Sequence, residues 1–388
     1  MAKVIVACDK FKGSLTAVEA CAALAAGIRA ARRQVDVISL PVADGGEGTV
    51  AAALHAGFTP VEAAASGPTG EPVRATYARQ GDQAVVELAE VCGVARLRGG
   101  RPAPMTASRR GLGEVLAAAI EAGCRRIMLG VGGSVSTDGG AGMVQALGAR
   151  VLDAAGRDVA PGGAALATVA SLDLTPLRRR LAGVTITLAC DVDNPLLGDA
   201  GAARIYAPQK GASPAQVCEL EVALRGWADV AATATGTDHR ASPGSGAAGG
   251  VGFAAAALLE AEVRPGIEML LELLDFASLV GSADLVITGE GSLDEQTLRG
   301  KAPAGVAAVA AASAVPVVVA CGRSRLTATA LQAAGIRAVY SCEDLEPDPR
   351  SSMANAAALL TRIGHRVAHQ HLGGAGPLGH DGASRIRT

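Results

Sequence analysis

The sequence predicts an α/β fold: two α/β domains around a cleft, one of them discontinuous. Three observations carry that prediction. Short β-rich runs near residues 4, 35, 285, 317 and 337 each belong to a strand–helix unit, so they can share one parallel sheet. Those runs sit at the two ends of the chain. A domain of residues 1–60 plus 283–370 is therefore expected, with 61–282 inserted as a second α/β domain. Composition agrees: hydrophobic residues are 49%, much of it alanine, aromatics are 2%, and there are 50 glycines. That mixture suits helices packed tightly on sheets. Residues 371–388, rich in Gly, His and Arg without periodicity, are expected to be a disordered tail.

Each element has a local reason. Val4–Cys8 is a strand ending at Asp9. Thr16 or Ser14 can then cap a helix to about Ala31, with Glu19 placed to complete a capping box with Thr16. Val35–Leu40 is a second strand, followed by the turn Val42–Thr49 and a helix to about Ala56. Val73–Ala78 and Ala84–Leu88 read as a hairpin pair. A helix over about Leu112–Ala122 feeds a buried strand, Ile127–Val131. Thr185–Cys190 is a strand, Pro214–Ala232 a helix after a polar turn, and Phe253–Leu259 a helix after a glycine-rich loop. Leu285–Thr288 is a strand entering the loop Gly289–Thr297. From Ala302 to Gly322 no residue is charged, which is membrane-span length. Pro303 and Pro316 interrupt it and alanine is weakly apolar, so it reads as a helix followed by the strand Val317–Ala320.

Several function classes drop out. Net charge is −2, and with so few aromatics and no basic stripe a nucleic-acid partner is not expected. No signal peptide is recognised, and no membrane partner is expected. Eight scattered cysteines without C-x-x-C point to a reduced, cytoplasmic protein. Lysine is scarce: Lys3, Lys10, Lys12, Lys210 and Lys301 stand against thirty arginines. A compact ammonium kept beside a polar or glycine-rich loop suits a phosphate, although solvated surface would account for any single one.

Candidate site residues cluster after strands. Ile127–Val131 turns through Gly132, Gly133, Ser134, Thr137, Asp138, Gly139 and Gly140 into a helix. Backbone N–H groups at such a start suit an anion, above all a phosphate. The alternative is a plain tight turn, and the stretch is neither a Walker A loop nor a clean G-x-G-x-x-G. Asp9, Lys12 and Ser14 lie at a strand end and helix start, where ligands bind in open α/β sheets. Asp44 is a candidate base or metal ligand, or else an N-cap. Asp191 and Asp193 can hold Mg²⁺ or take a proton, or else form an Asx turn before Pro195. The glycine-rich loop 244–250 makes a further backbone approach site, and Glu290, Asp294 and Lys301 form a third polar cluster.

Seven blocks, in order, give the chain a family resemblance nearly end to end, to about residue 370. They are Asp9–Leu15 (DKFKGSL), Ala43–Thr49 (ADGGEGT), Gly130–Gly142 (GVGGSVSTDGGAG), Cys190–Leu196 (CDVDNPL), Pro208–Ala212 (PQKGA), Gly246–Gly252 (GAAGGVG) and Ala283–Lys301 (ADLVITGEGSLDEQTLRGK). The chain resembles the bacterial type-1 glycerate kinases. Cys92 stands where a serine is more usual in that family, Val135-Ser136 replaces the commoner Ala-Thr, and Met105–Gly111 is a variant of its block.

The resemblance implies phosphorylation of D-glycerate from ATP with Mg²⁺, to 2-phosphoglycerate. Phosphoryl transfer needs positioning and charge neutralisation, so ATP phosphates are expected at Gly132, Gly133, Ser134, Thr137 and Asp138, and at Gly249 and Gly250, with Lys12, Lys210 and Lys301 supplying positive charge. Asp191 is the first candidate for the metal, and Asp44 or Asp191 for the base, beside Lys12. Asp9, Lys12, Ser14, Glu290 and Asp294 are assigned to substrate, with Lys12 or an arginine from Arg101–Arg110 for its carboxylate. The alternatives are 3-phosphoglycerate as product, a kinase of another small hydroxy acid, a nucleotide-binding dehydrogenase and a non-catalytic ligand sensor. Oligomeric state is left open.

Overall fold

The computed structural model of the chain describes residues 1–372, the side chains of Arg98 and Arg299 excepted. Its strands, in chain order, are β1 (Ala2–Cys8), β2 (Val35–Ser39), β3 (Thr59–Ser66), β4 (Pro72–Gln80), β5 (Gln83–Glu87), β6 (Arg126–Gly130) and β7 (Arg150–Asp153). They continue as β8 (Val169–Asp173), β9 (Thr185–Ala189), β10 (Glu262–Arg264), β11 (Leu285–Leu293), β12 (Val317–Ser324) and β13 (Ile336–Ser341). The chain divides into two units: Met1–Ala43 with Leu270 onward, and Asp44–Met269.

In the discontinuous unit the strand order is β13-β12-β11-β1-β2, parallel throughout. The five runs read from the two chain ends do share one sheet. β1 is an interior strand, with Val4 paired to Leu285 on one side and Val37 on the other. Both faces of β1 are covered, which is why KVIVAC is apolar without alternation: Val4, Ile5 and Val6 are all 0% exposed. The helix Ala17–Ala31 carries the expected capping box. Thr16 Oγ1 accepts from Glu19 N–H at 3.2 Å, and Glu19 Oε2 accepts from Thr16 N–H at 2.8 Å. This helix packs against a second, Ala356–His371. That second helix takes in His371, the first residue of the expected disordered tail, because Val367 and Ala368 are buried in its apolar face. Residues 373–388 lie outside the described residues.

One further expectation is corrected in detail. The strand expected to stop at Thr288 runs on to Leu293, because β12 continues beside it with Ser292 paired to Arg323 and Leu293 to Ser324. Glu290 is therefore a strand residue, not a loop residue. The charge-free run is, as expected, a helix, Ala302–Ala312, followed by a strand, β12. Among the described residues no helix is long and apolar enough to cross a membrane.

The other unit has the order β10-β9-β6-β5-β4-β3. β10, β9, β6 and β5 run parallel, and β4 and β3 are antiparallel additions. β3 extends the expected hairpin and was not foreseen. The hairpin β7–β8 stands apart from this sheet. The seams fall at 43/44 and 269/270, not at 60/61 and 282/283. The helix Thr49–His55 explains the first difference, since it packs on β4 and β5. Trp227, on the long helix Pro214–Thr235, is wholly buried in the core, and its Nε1 donates to Gly139 O at 3.0 Å.

Candidate active site

In the Asp44–Met269 unit, β6 ends at Gly130 and the chain turns through residues 131–140 into the helix Ala141–Ala146. A Cβ at Gly130 would lie 2.6 Å from Gly45 O, and one at Gly132 would lie 2.5 Å from Gly46 Cα. Only glycine lets this turn and the turn carrying Asp44 approach so closely. The loop of residues 244–250 joins from another side, with Gly139 N–H donating to Gly249 O at 3.0 Å.

Beneath these turns lies a buried charge cluster. Arg109 is 0% exposed. Its Nη1 donates to Asp138 Oδ1 at 2.5 Å, and its backbone N–H donates to Asp138 Oδ2 at 2.8 Å. Its Nη2 donates to Ser136 O at 2.5 Å and also to Ser134 Oγ and Ala248 O. One guanidinium thus ties both glycine loops together. Lys210 Nζ is buried beside it, donating to Ser136 O at 2.6 Å and Ser134 Oγ at 3.4 Å. Burial, and then the neighbouring Arg109 charge, push the Lys210 ammonium well below its ordinary pKa, against the pull of Asp138. Ser136 Oγ, Thr137 Oγ1 and Arg109 Nε are buried without a hydrogen-bond partner. Two cations, one carboxylate and orphaned donors under a turn rich in backbone N–H make an environment prepared for an anion.

Asp44 and Asp191 meet in the same unit at Gly266. Asp191, just beyond β9, accepts from Gly266 N–H through Oδ1 at 2.8 Å. A Cβ on Gly266 would lie 2.2 Å from Asp44 O. Asp44 Oδ1 also accepts from Gly46 N–H at 3.3 Å. Among the described residues no group of three His, Cys, Asp or Glu could hold a metal. The Asp191 carboxylate lies against the backbone that packs on the Asp44 turn, and one carboxylate fits Mg²⁺, which usually takes one or two and completes its shell with water and phosphate oxygens.

The discontinuous unit has its own polar site at the ends of β1 and β11. Asp9 and Glu290 are 6% and 7% exposed. Thr297 Oγ1 donates to Glu290 Oε1 at 2.5 Å. Burial raises Glu290 to about 7, Thr297 and the Lys301 charge pull it down, and Asp9 and Asp294 push it up. Lys10 Nζ lies 3.5 Å from Asp9 Oδ1. Ser14 Oγ donates to Phe11 O at 3.0 Å and so closes its own turn. Lys12 is exposed, and Asp294 and Lys301 are half-buried.

The sequence-derived residues thus fall into two groups. Gly132, Ser134, Thr137, Asp138, Lys210, Gly249 and Gly250 come together in one unit, with Gly133 in the same turn, and Asp44 joins Asp191 there. Asp9, Lys12, Ser14, Glu290, Asp294 and Lys301 belong to the other. The sequence places Lys210 on a polar turn, yet its ammonium is buried. Asp138 faces Arg109, and Thr137 and Asp138 are wholly buried, so both support the turn from below. Of the arginines in the Arg101–Arg110 region, offered beside Lys12 for the substrate carboxylate, Arg109 is engaged with protein acceptors and Arg110 pairs with Glu114 at 3.0 Å, while Arg101 is exposed. Sequence reasoning missed Glu87, which ends β5 and holds the Asp44 turn through its backbone. The signal was a lone carboxylate closing the apolar run Ala84–Leu88.

Comparison with known proteins gives a consistent picture. The Glycerate kinase family profile matches residues 4–372. Glycerate kinase from Bacillus subtilis (strain 168) is 42% identical over 369 residues, 94% of this chain and 97% of that protein. Glycerate 2-kinase from Escherichia coli (strain K12) is 42% identical over 342 residues, 87% of this chain and 90% of that protein. The crystal structure of a Salmonella typhimurium LT2 protein put forward as a glycerate kinase 2 superposes with a TM-score of 0.81 at 39% identity. It covers 95% of this chain and 97% of its own.

Proposed function

Because the chain belongs to the glycerate kinase family, we propose that it transfers the γ-phosphoryl group of ATP to the 2-hydroxyl of D-glycerate, giving 2-phosphoglycerate and ADP. The observation that carries this reading is the glycine turn 131–140 laid over Arg109 and Lys210. Phosphoryl transfer asks a protein chiefly for positioning and charge neutralisation. The turns 131–140 and 244–250 hold the ATP phosphates through backbone N–H groups, with Lys210 as the buried countercharge. Lys12 and Lys301 add positive charge, and Asp9, Ser14, Glu290 and Asp294 bind substrate.

Asp44 or Asp191 accepts the proton of the attacking hydroxyl, and the other carboxylate stays ionised. Asp191 is the first candidate to hold Mg²⁺, which when bound would neutralise charge on the phosphates; in that arrangement Asp44 is the base. The reactants are small molecules, and the cytoplasm is the compartment that a reduced cysteine set and ATP use favour.

Phosphorus NMR of the product is the direct test. A phosphomonoester split as a doublet by one methine proton is expected; a triplet from a methylene group would assign 3-phosphoglycerate instead. A panel of small hydroxy acids assayed for ADP release reports whether glycerate is the preferred acceptor. Absence of glycerate-dependent ADP release would defeat the reading. Asp44→Asn and Asp191→Asn are each expected to lower turnover. If both keep near-wild-type kinetics, the assignment of base and metal ligand fails.

A further inference from the structure

The turn that carries Asp44 is held by a side chain that the chemistry above does not use. Glu87 ends β5 and is 3% exposed. Gly48 N–H donates to both of its carboxylate oxygens at 3.2 Å, and Val50 N–H donates to Oε2 at 3.1 Å. The helix Thr49–His55 begins at Gly48, where φ is +104° and no side chain of the turn itself supplies a cap. Glu87, on a strand of the sheet below, supplies that cap instead. Inside the turn Thr49 Oγ1 donates to Gly46 O at 2.6 Å. Glycines occupy positions 45, 46 and 48, so the turn has little side-chain anchorage of its own.

We propose that Glu87 is a positioning residue for Asp44: its ionised carboxylate fixes the turn 44–48, and taking up a proton loosens it. This rests on the functional reading that places Asp44 at the reacting hydroxyl. A carboxylate accepts several N–H donors at once, whereas a carboxylic acid loses the charge that strengthens those bonds and turns one oxygen into a donor. The charged groups facing Glu87 are Glu90, on the helix Ala89–Cys92, and Glu47, in the turn; both are negative. Thr49 and Val50 on the capped helix are uncharged, and the register partner on β6, Gly130, has no side chain.

Burial raises Glu87 to about 7, Glu90 and Glu47 add to that, and the amides of Val50 and Gly48 oppose it. The proton therefore exchanges in the working range of a cytoplasmic enzyme. The sign for stability is the reverse of the sign for activity. The folded pKa lies above the unfolded one, so this group's stabilisation is full below an ordinary carboxyl pKa and is lost as pH rises through about 7. Turnover, which needs the ionised clamp, rises over the same interval.

The test compares wild type with Glu87→Gln between about pH 5.5 and 8.5, reading kcat at saturating ATP and D-glycerate together with the thermal midpoint. Wild-type kcat is expected to fall about tenfold per pH unit below about 7 while the midpoint rises. Glu87→Gln is expected to be about tenfold to a hundredfold slower at the alkaline end, without the acidic limb. A variant that is slower but keeps the wild-type limb would mean a merely structural role and overturn the proposal, as would a wild type with no limb. Amide exchange at Gly48 and Val50 in the wild-type protein needs neither a folded variant nor turnover. Protection at both is expected to rise as pH passes through about 7, and flat protection overturns the clamp. Rising protection without glycerate-dependent ADP release would support the clamp and defeat the functional reading instead.

Discussion

The two units place polar sites at equivalent positions, the C-terminal ends of parallel strands, and fill them with opposite charge. Beyond β6 the buried groups are Arg109 and Lys210 against one carboxylate, Asp138. Just beyond β1 and within the C-terminal half of β11 they are Asp9 and Glu290, with Lys301 only half-buried beside them. Parallel strand ends fix where a site forms, because loops there gather helix starts and leave backbone groups facing outward. The sign of the site is decided by which side chains are committed to the interior. A cation cushion under a glycine turn favours phosphate. Paired carboxylates favour groups that donate, and Glu290 already shows this by accepting from the Thr297 hydroxyl.

The largest expected effect breaks the cationic side. Arg109→Met leaves Asp138 buried and unpaired, a loss of about 3–5 kcal/mol. Calorimetry should show a lower melting temperature, and Arg109→Met with Asp138→Leu should recover much of it, since the pair is removed whole. Lys210→Met should act quite differently. Its ammonium already suffers from burial, so its folded pKa lies below the unfolded one and charging it costs stability at neutral pH. The melting temperature should hold or rise, while kcat/KM for ATP falls on the order of a hundredfold. If Lys210→Met destabilises as Arg109→Met does, the lysine is structural and the contrast between the two cations fails.

How much of this contrast was legible in the sequence depends on the type of signal. The parallel sheet of the discontinuous unit was readable, because strands buried on both faces are unbroken apolar runs such as KVIVAC. The glycine turns were readable too, since Gly132 and Gly249 mark close approach. β3 was not, because its exposed edge, TPVEAAAS, lacks a clean period-two pattern. The partnership of Arg109 with Asp138 joins positions 29 apart in the chain, and that of Glu87 with Gly48 joins positions 39 apart; neither leaves a local mark. Lys210 was found by scarcity, but only packing reveals that it is buried.

The carboxylate side is sharpened by pH. Glu290 has its folded pKa raised to about 7 by burial, so its contribution to stability is full below an ordinary carboxyl pKa and disappears as pH rises through about 7. Glu290→Gln should flatten that part of the melting-temperature profile, by at most about 3 kcal/mol at 1.36 kcal/mol per pH unit. Thr297→Val removes a bond that favours the ionised carboxylate, so the midpoint of the transition should move upward. A downward movement would show that the hydroxyl serves the protonated form.

The smallest effects serve as a control on both sites at once. Each unit has a helix opened by a complete capping box close behind a candidate lysine: Thr16 follows Lys12, and Ser213 follows Lys210. Thr16→Ala and Ser213→Ala should each cost about 1 kcal/mol, through the loss of one hydroxyl that accepts a helix-start N–H. Their kinetic effects should differ. Lys210 is locked by Ser136 O and packed beneath Gly249, so loosening the helix start at Ser213 leaves its ammonium in place and kcat/KM for ATP unchanged. Lys12 is exposed on the turn that runs directly into Thr16, so the same loss there should raise KM for glycerate a few-fold. Equal kinetic effects from the two caps would mean that the buried lysine is no better anchored than the exposed one.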